Sequence, residues 1–99
     1  MVRYFLTNKA VDDLAEIWNY TYKKWSEKQA DKYYKSLISD CSEIAKNPRI
    51  GKTYNGISPS LKGLQSAKHI IFYRAISSAE IEITRILHER MDLKHRISE

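Results

Sequence analysis

Histidine and arginine side chains that could do chemistry cluster where the last predicted strand ends. The stretch EIEITRILHERMD, residues 80–92, alternates like a strand and then brings His88 close to Arg85. Ribonuclease chemistry through a 2′-hydroxyl needs a base, cations that stabilise the phosphorane, and an acid for the leaving oxygen. His88, Arg74 and Arg85 form the set that could supply these groups. Tyr73 is a spare acid.

Alternation along the last predicted strand disfavours that set, because successive side chains of a strand point to opposite faces. It predicts one face with Ile81, Ile83, Arg85 and Leu87, and another with Glu82, Thr84, Ile86 and His88. Only a bulge or a strand end could bring Arg85 and His88 onto one phosphate. We therefore expect structural or partner-binding roles for Arg74 and Arg85. Asp13 and Glu16 are candidate carboxylate partners for them.

Composition and charge are typical of one globular domain spanning residues 1–99. Hydrophobic residues make up 42% of the chain and charged residues 29%. The net charge of +5 favours acidic partners, either nucleic acid or an acidic protein segment. No apolar run is long enough for a membrane span or a signal peptide. Because Cys41 is the single cysteine, no intrachain disulfide can form, and we expect a cytoplasmic protein.

Neither a metal site nor a cofactor is expected. If residues 88–95 were helical, His88, Asp92 and His95 would align on one side. The isoleucine-rich strand before His88 disfavours that helix, and no third nitrogen or sulfur ligand follows. Cys41 falls on the apolar stripe of a predicted helix, where a core thiol is the default. Ser58-Pro59-Ser60 and Lys62-Gly63 lack the glycine pattern of a phosphate-binding loop.

Changes of hydrophobic period predict the elements that position these residues. VRYFL predicts a first strand. A helical stripe follows, formed by Val11, Leu14, Ala15, Trp18, Tyr22 and Trp25. Thr7 or Asn8 can cap this helix. Ser26 and Gln29 form a capping box that begins a second helix, and Asn47-Pro48 ends it.

Strand patterns return after the loop RIGKTYNGISPSLKG, which carries all three glycines. LQSAKH, IIFYRAI and EIEITRIL predict three strands, the last two joined by a tight SSA connection. Asp92 can cap a final helical turn, LKHRI. The predicted order is β-α-α-β-β-β, an α+β fold in which a helical hairpin packs on a mainly antiparallel sheet.

Four stretches, in their order along the chain, resemble the ParE toxins of the RelE/ParE toxin–antitoxin superfamily. They are LTNKAVDDLAEIWNYTYKKWSEKQADKYY, NPRIGK, HIIFYR and ITRILHERMD, and they span nearly the whole chain. The resemblance implies the RelE/ParE-like fold and a bacterial growth inhibitor. ParE toxins typically poison DNA gyrase, trapping it with cleaved DNA, and a cognate ParD-like antitoxin neutralises them. RelE-like toxins of the same superfamily cleave messenger RNA on the ribosome.

Three functions remain open, because the fold is common to both branches. The first is a toxin that binds gyrase and has no catalytic activity of its own. The second is a ribosome-dependent endonuclease; the chain ends LKHRISE, without the terminal aromatic acid of RelE-type catalysts, which disfavours it. The third is a binding module without toxicity. A toxin homodimer, or a hetero-oligomer of toxin and antitoxin, would fit the first function. We expect neither a membrane partner nor direct binding to a specific nucleic-acid sequence.

A toxin that acts by binding needs exposed cationic residues for its target. The candidates form a basic C-terminal end, namely Arg90, Lys94, His95 and Arg96. Arg90 is the main candidate, because it follows the last strand and lies outside the core pattern.

The antitoxin needs an apolar surface on the toxin. We expect the sheet face away from the helices to expose Ile71, Tyr73 and Ile86 as a patch that an acidic amphipathic segment would cover. Trp18 and Trp25 fall mostly in the core pattern, and one of them could reach the surface where the antitoxin docks.

Overall fold

The computed structural model describes residues 2–99, in which two long helices pack on one face of a five-stranded sheet. The elements are β1 Arg3–Leu6, α1 Asn8–Lys24, α2 Glu27–Lys46, β2 Lys52–Thr53, β3 Lys62–Ser66, β4 His69–Ser77, β5 Glu80–His88 and α3 Leu93–Ser98. The strand order is β1-β5-β4-β3-β2, with β1 parallel to β5 and the other pairs antiparallel. The predicted α+β fold is confirmed. β2 is an addition, because it lies in the stretch predicted as a loop.

The helices begin where the sequence predicts. The Thr7 hydroxyl accepts a hydrogen bond from the Ala10 amide at 3.1 Å, and the Ser26 hydroxyl accepts one from the Gln29 amide at 3.1 Å. Asp92 caps α3 through the His95 amide at 3.2 Å. Each bond satisfies an amide that the first turn of a helix leaves without a partner.

The main core lies between the helical hairpin and the sheet. Its buried members are Ala10, Leu14, Leu37, Cys41, Ile44, Ile71, Tyr73, Ile81, Ile83 and Ile86. Cys41 is fully buried, as predicted, and burial raises the pKa of its thiol to about 12. The thiol is therefore un-ionised at neutral pH.

The face that carries Ile71, Tyr73 and Ile86 was predicted to be exposed, and that prediction is wrong. The three side chains are at most 2% exposed, because the helical hairpin covers this face. The opposite face is also covered over part of its area. There, Leu61, Ile70, Phe72 and Leu87 pack under the loop at Tyr54 and Ile57 and under Leu93 and Ile97 of α3.

Two bulges in the β4–β5 hairpin determine which side chains share a face. Thr84 is an extra residue on β5, and Ile76 is an extra residue on β4. Thr84 reverses the alternation, so Ile86 joins Ile81 and Ile83 on the helix-covered face, contrary to the predicted grouping. The two bulges offset each other, and the far ends of the strands return to simple hairpin pairing.

Tyr73 holds the chain that leaves α2. Its hydroxyl donates to the Pro48 carbonyl at 2.7 Å and accepts from the Gly51 amide at 2.9 Å. A Cβ on Gly51 would lie 2.6 Å from that hydroxyl oxygen, so only glycine fits there. Burial raises the pKa of Tyr73. Its place is therefore structural, and no exposed acid is available at this position.

Candidate functional site

Arg85, one of the three candidate nuclease residues, is buried and forms hydrogen bonds within the fold. Its Nε donates to Asp13 Oδ2 at 2.8 Å, its Nη2 donates to Asp13 Oδ1 at 3.0 Å, and its Nη1 donates to the Arg96 carbonyl at 2.7 Å. The Asp13 carboxylate raises the pKa of Arg85 further above its ordinary value. The expected structural role and the expected carboxylate partner are both observed for this arginine.

Arg74 is held far from His88. Its guanidinium donates to the Ser58 hydroxyl and forms an ion pair with Glu82 at 3.9 Å. Arg74 lies opposite Glu82 in the hairpin, whereas His88 lies opposite His69. Positions 69 and 74 are five residues apart along β4, which is roughly 16 Å at the usual rise of a strand. The three candidate nuclease residues therefore do not meet at one phosphate.

An open groove lies between α1, the beginning of α2 and the paired ends of β4 and β5. It consists of two adjoining cavities of about 550 and 470 Å³. Both cavities are lined by Tyr20, Thr21, His69, His88 and Arg90, and we call the two cavities together the α1 groove. Its volume falls in the range that proteins use for ligand binding.

Two histidines lie side by side on the sheet end of the α1 groove. His69 faces His88 across the hairpin, with ring centroids 5.3 Å apart in an edge-to-face arrangement. The Tyr33 hydroxyl is 2.7 Å from His69 Nδ1. Burial, followed by the neighbouring His88, lowers the pKa of His69 to about 4. The His69 ring is therefore neutral at pH 7 and offers hydrogen bonds rather than charge.

Arg90 reaches the α1 groove from a turn that backbone hydrogen bonds fix. The Met91 amide donates to the His88 carbonyl at 3.0 Å, and the Glu89 amide donates to the Lys68 carbonyl at 2.9 Å. The Arg90 amide itself donates to His88 Nδ1 at 3.1 Å. Arg90 is exposed, as predicted, and its guanidinium forms no ion pair with the carboxylates of residues 2–99.

Aromatic side chains form the outer rim of the α1 groove. Tyr20 is 63% exposed and Trp25 is 70% exposed, and the Lys24 ammonium lies 5.5 Å from the centroid of the Tyr20 ring. The buried residues of α1 are Ala10, Asp13 and Leu14, so Val11 and Tyr22 of the predicted apolar stripe are exposed. Trp25 follows the last residue of α1 and is exposed as well. Trp18 is half-buried and stacks on Tyr22 at a centroid distance of 5.2 Å. Of the two tryptophans, only Trp25 lines the groove.

The four predicted target-binding residues fall into two separate groups. Arg90 lines the α1 groove, whereas Lys94, His95 and Arg96 lie exposed on α3, whose apolar side covers the opposite face of the sheet. The Arg96 guanidinium pairs with Glu99 at 3.7 Å. The basic C-terminal residues therefore lie on two sides of the molecule.

The sequence did not predict the α1 groove. The lengths of the last two strands and of their connection could have indicated that His69 and His88 lie opposite each other. β4 and β5 are nine residues each and are joined by two residues, so pairing outward from the connection places His69 opposite His88. The contributions of Tyr20 and Thr21 depend on how α1 crosses the sheet, which local patterns do not specify.

The described part of the chain holds neither a metal cluster nor a membrane span. Within residues 2–99, histidine, cysteine and carboxylate side chains do not gather in threes that could hold a metal ion. In the same part of the chain, no helix has the length and apolarity needed to cross a membrane.

Comparison with known proteins gives consistent matches along the chain. Residues 4–93 match the family model described as the ParE toxin of the type II toxin-antitoxin system, parDE. The chain is 37% identical to Toxin ParE1 of Mycobacterium tuberculosis over 95 residues, which are 96% of this chain and 97% of that protein. It is 31% identical to Toxin ParE1 of Caulobacter vibrioides over 94 residues, which are 95% and 96% of the two proteins.

A solved structure of the chromosomal ParDE TA system from P. aeruginosa contains a chain with the same fold. The two chains superpose with a TM-score of 0.77 at 20% identity, over 89% of this chain and 96% of that chain. At 20% identity, this similarity establishes a common arrangement of helices and strands.

Proposed function

Because this chain belongs to the ParE toxin family of type II toxin–antitoxin systems, we propose that it inhibits bacterial growth by binding and poisoning DNA gyrase, and that a ParD-like antitoxin neutralises it. The match of the family model to residues 4–93 is the observation that carries the proposal. The site of action follows from the target, since gyrase works on DNA inside the bacterial cell.

The geometry supports a toxin that acts by binding. Arg85 and Arg74 are committed to contacts within the fold, which leaves neither guanidinium free for a phosphorane. Arg90 is the cation best placed for a partner, because its turn is held by three hydrogen bonds and its side chain has no carboxylate partner within residues 2–99. A residue whose backbone is already fixed loses less conformational freedom when it binds.

A messenger RNA endonuclease is the second candidate, and one observation favours it. The α1 groove brings His88 beside His69 and Arg90, so an imidazole pair and a cation share one surface. This set differs from the one that the sequence suggested, because His69 and Arg90 take the place of the two committed arginines.

A gyrase assay with the purified protein tests the proposal. We expect loss of supercoiling and accumulation of cleaved DNA, and we expect an SOS response when the protein is induced in bacteria. Degraded transcripts together with unchanged supercoiling would instead identify a nuclease. Normal growth of cells that make the protein without antitoxin would identify a non-toxic binding module.

Two variants separate the candidates at single residues. Arg90→Ala should reduce gyrase inhibition by about tenfold or more, as removal of a central interface arginine does. Its matched control is Lys46→Ala, which removes an exposed cation that pairs with Glu43 on α2. His88→Asn keeps an acceptor for the Arg90 amide, so gyrase inhibition should persist, whereas transcript cleavage by a histidine-dependent nuclease would be lost.

A further inference from the structure

The larger cavity of the α1 groove, of about 550 Å³, is lined by cations and by no carboxylate of the described chain. Lys24, Lys68 and Arg90 line it, and none of them forms an ion pair with a carboxylate among residues 2–99. Asp13 and Glu16 line only the smaller cavity, and Asp13 is already held in a buried ion pair. Three uncompensated positive charges in one cavity attract an anion, because a concave wall of low dielectric focuses their field.

His88 presents a hydrogen-bond donor to this cavity. Its Nδ1 accepts the Arg90 amide at 3.1 Å, so Nδ1 carries a lone pair rather than a proton. A neutral imidazole has a single ring N–H, and the proton of His88 therefore lies on Nε2. The backbone fixes this tautomer, because a proton on Nδ1 would set two N–H groups against each other.

His69 has the same tautomer. The Tyr33 hydroxyl is 2.7 Å from His69 Nδ1, whereas its distance to the Ser66 carbonyl oxygen, a second acceptor, is 3.5 Å. Hydrogen bonds donated by a hydroxyl rarely exceed about 3.0 Å, so the Tyr33 proton is directed at Nδ1. His69 Nδ1 is therefore the acceptor. Because burial keeps this ring neutral at pH 7, its proton lies on Nε2.

Both Nε2–H groups are open to solvent. Within residues 2–99, every buried side-chain nitrogen and oxygen has a hydrogen-bond partner, yet neither Nε2 bonds to the protein there. Both atoms are therefore accessible, and both rings line the larger cavity with their centroids 5.3 Å apart. A metal ion would need lone pairs, which these tautomers place on the occupied Nδ1 atoms. Two N–H donors beside three cations instead suit an anion with several acceptor oxygens.

Exposed aromatic rings line the same cavity. Tyr20 is 63% exposed and Trp25 is 70% exposed. Rings of this kind stack on nucleobases of any identity. A phosphate monoester carries a charge of about −1.5 to −2 at pH 7 and has three strong acceptor oxygens. A nucleotide joins these two groups in one molecule, whereas a simple carboxylate supplies one charge and no stacking face.

We propose that the larger cavity of the α1 groove binds a mononucleotide. Its phosphate accepts hydrogen bonds from His69 and His88 and lies among the three cations, and its base stacks on Trp25. The site goes beyond the proposed function, because the nucleotide binds the toxin alone. One consequence rests on the proposed function: the nucleotide covers Arg90, so nucleotide and gyrase compete for that residue.

The arrangement of the cations favours one nucleotide over a longer strand. A single strand of nucleic acid binds along a track of cations that follows its backbone. Here the three cations line one cavity, whose volume of about 550 Å³ is in the range of sites for small molecules.

Calorimetry of the purified protein with adenosine 5′-monophosphate tests the site. Adenosine and ribose 5-phosphate probe the two halves of the ligand separately. We expect saturable binding of the nucleotide. Adenosine should bind at least about tenfold more weakly, because it lacks the group that accepts the charge-assisted hydrogen bonds.

Lys68→Gln tests the phosphate half at an exposed position. The variant should lower the affinity for both the nucleotide and ribose 5-phosphate by about tenfold, because one charged donor is lost. Lys46→Gln is the matched control, since Lys46 is an exposed cation of α2 outside the groove, and it should bind like the wild type. Circular dichroism of each variant establishes folding.

Trp25→Ala tests the base half. The variant should weaken binding of the nucleotide and leave the affinity for ribose 5-phosphate unchanged, because only the nucleotide carries a base. Tyr34→Ala, an exposed aromatic of α2 outside the groove, should bind both ligands like the wild type.

Nitrogen-15 NMR of the histidine rings tests the donor pair independently of affinity. We expect a proton on Nε2 of both His69 and His88. Ribose 5-phosphate should shift the Nε2 resonances of these two rings more than that of His95, which is exposed on α3.

A proton on Nδ1 of either groove histidine would overturn the site. So would the absence of saturable nucleotide binding, or equal affinity of wild type and Lys68→Gln for ribose 5-phosphate. Binding of an unphosphorylated dodecathymidylate without binding of the mononucleotide would overturn it in favour of a strand. Failure of the proposed function looks different, because the wild type would then leave gyrase supercoiling unchanged while it still bound the nucleotide.

Discussion

Arg85 and Asp13 form a two-point ion pair between residues 72 positions apart in the chain, with Nε–Oδ2 and Nη2–Oδ1 distances of 2.8 and 3.0 Å. The same carboxylate accepts the Ile86 amide at 3.0 Å. Both residues are 8% exposed. One buried carboxylate therefore fastens α1 to the bulged part of β5.

Removing one member of this pair should be strongly destabilising. Asp13→Ala leaves the Arg85 guanidinium and the Ile86 amide with fewer partners, and should lower the free energy of unfolding by about 3–5 kcal/mol. Urea denaturation followed by circular dichroism measures the change. Glu43→Ala breaks the exposed pair with Lys46 and should cost no more than about 1 kcal/mol. Equal effects of the two variants would contradict the structural importance of the buried pair.

Tyr73→Phe should destabilise the protein without emptying the core. The ring remains, but the Pro48 carbonyl and the Gly51 amide lose their hydroxyl partner, for an expected loss of about 1–3 kcal/mol. Tyr34→Phe, at an exposed position of α2, is the control and should change stability by less than about 0.5 kcal/mol. Thermal denaturation compares them, and a Tyr73→Phe variant as stable as the wild type would refute the hydroxyl's role.

Ala67→Gly should stabilise the β3–β4 hairpin. Ala67 has a φ of 52°, a left-handed conformation that costs a residue with a Cβ roughly 1 kcal/mol and costs glycine little. The unfolding free energy should rise by about 0.5 kcal/mol after the entropy of glycine is included. Ala79→Gly in the β4–β5 connection, where φ is not positive, should instead destabilise. A destabilised Ala67→Gly variant would contradict the expected relief of strain.

The His69 ring should make stability depend on pH in the acidic range. Its pKa is about 4 in the folded protein and near 6.5 in the unfolded chain, so the unfolded chain binds more protons between these values. The stability that neutral His69 contributes is complete above pH 6.5 and is lost as the pH falls towards 4. Neighbouring His88 also lowers the pKa of this ring, whereas Glu89 and Asp13 raise it.

The measurement compares the unfolding free energy of the wild type and His69→Gln at pH 7, 5 and 4. The unfolding free energy of the wild type minus that of the variant should decrease as the pH falls. His95→Gln on the exposed face of α3 should parallel the wild type. Parallel pH profiles for the wild type and His69→Gln would show that protonation of this ring is not linked to folding.

Local sequence patterns predicted the elements of this fold because caps and hydrophobic periods act over a few residues. Thr7, Ser26 and Asp92 begin their helices as expected, and Asn47 ends α2. The pairing of Arg85 with a helix carboxylate could also be predicted, since a buried guanidinium requires such a partner.

The faces of β5 could not be predicted from local patterns, because the bulge lies where the strand meets a residue distant in sequence. The Thr7 hydroxyl donates to the Thr84 carbonyl at 2.8 Å across 77 residues of sequence. This contact engages a backbone group of the bulged residue, and alternation reverses at that point. For the same reason the α1 groove could not be derived, since α1, α2, β4 and β5 meet there only after the sheet has formed.

The position of β1 at the sheet edge has a consequence for biosynthesis. β1 has one neighbour, β5, and their register runs from Arg3 opposite Glu80 to Leu6 opposite Ile83. The first strand to leave the ribosome therefore pairs with the last strand to leave it, and contacts of such long sequence separation form late. A nascent chain that ends before β5 has neither the complete sheet nor the α1 groove. Any function that depends on the complete sheet or on the α1 groove therefore begins only after β5 has been translated.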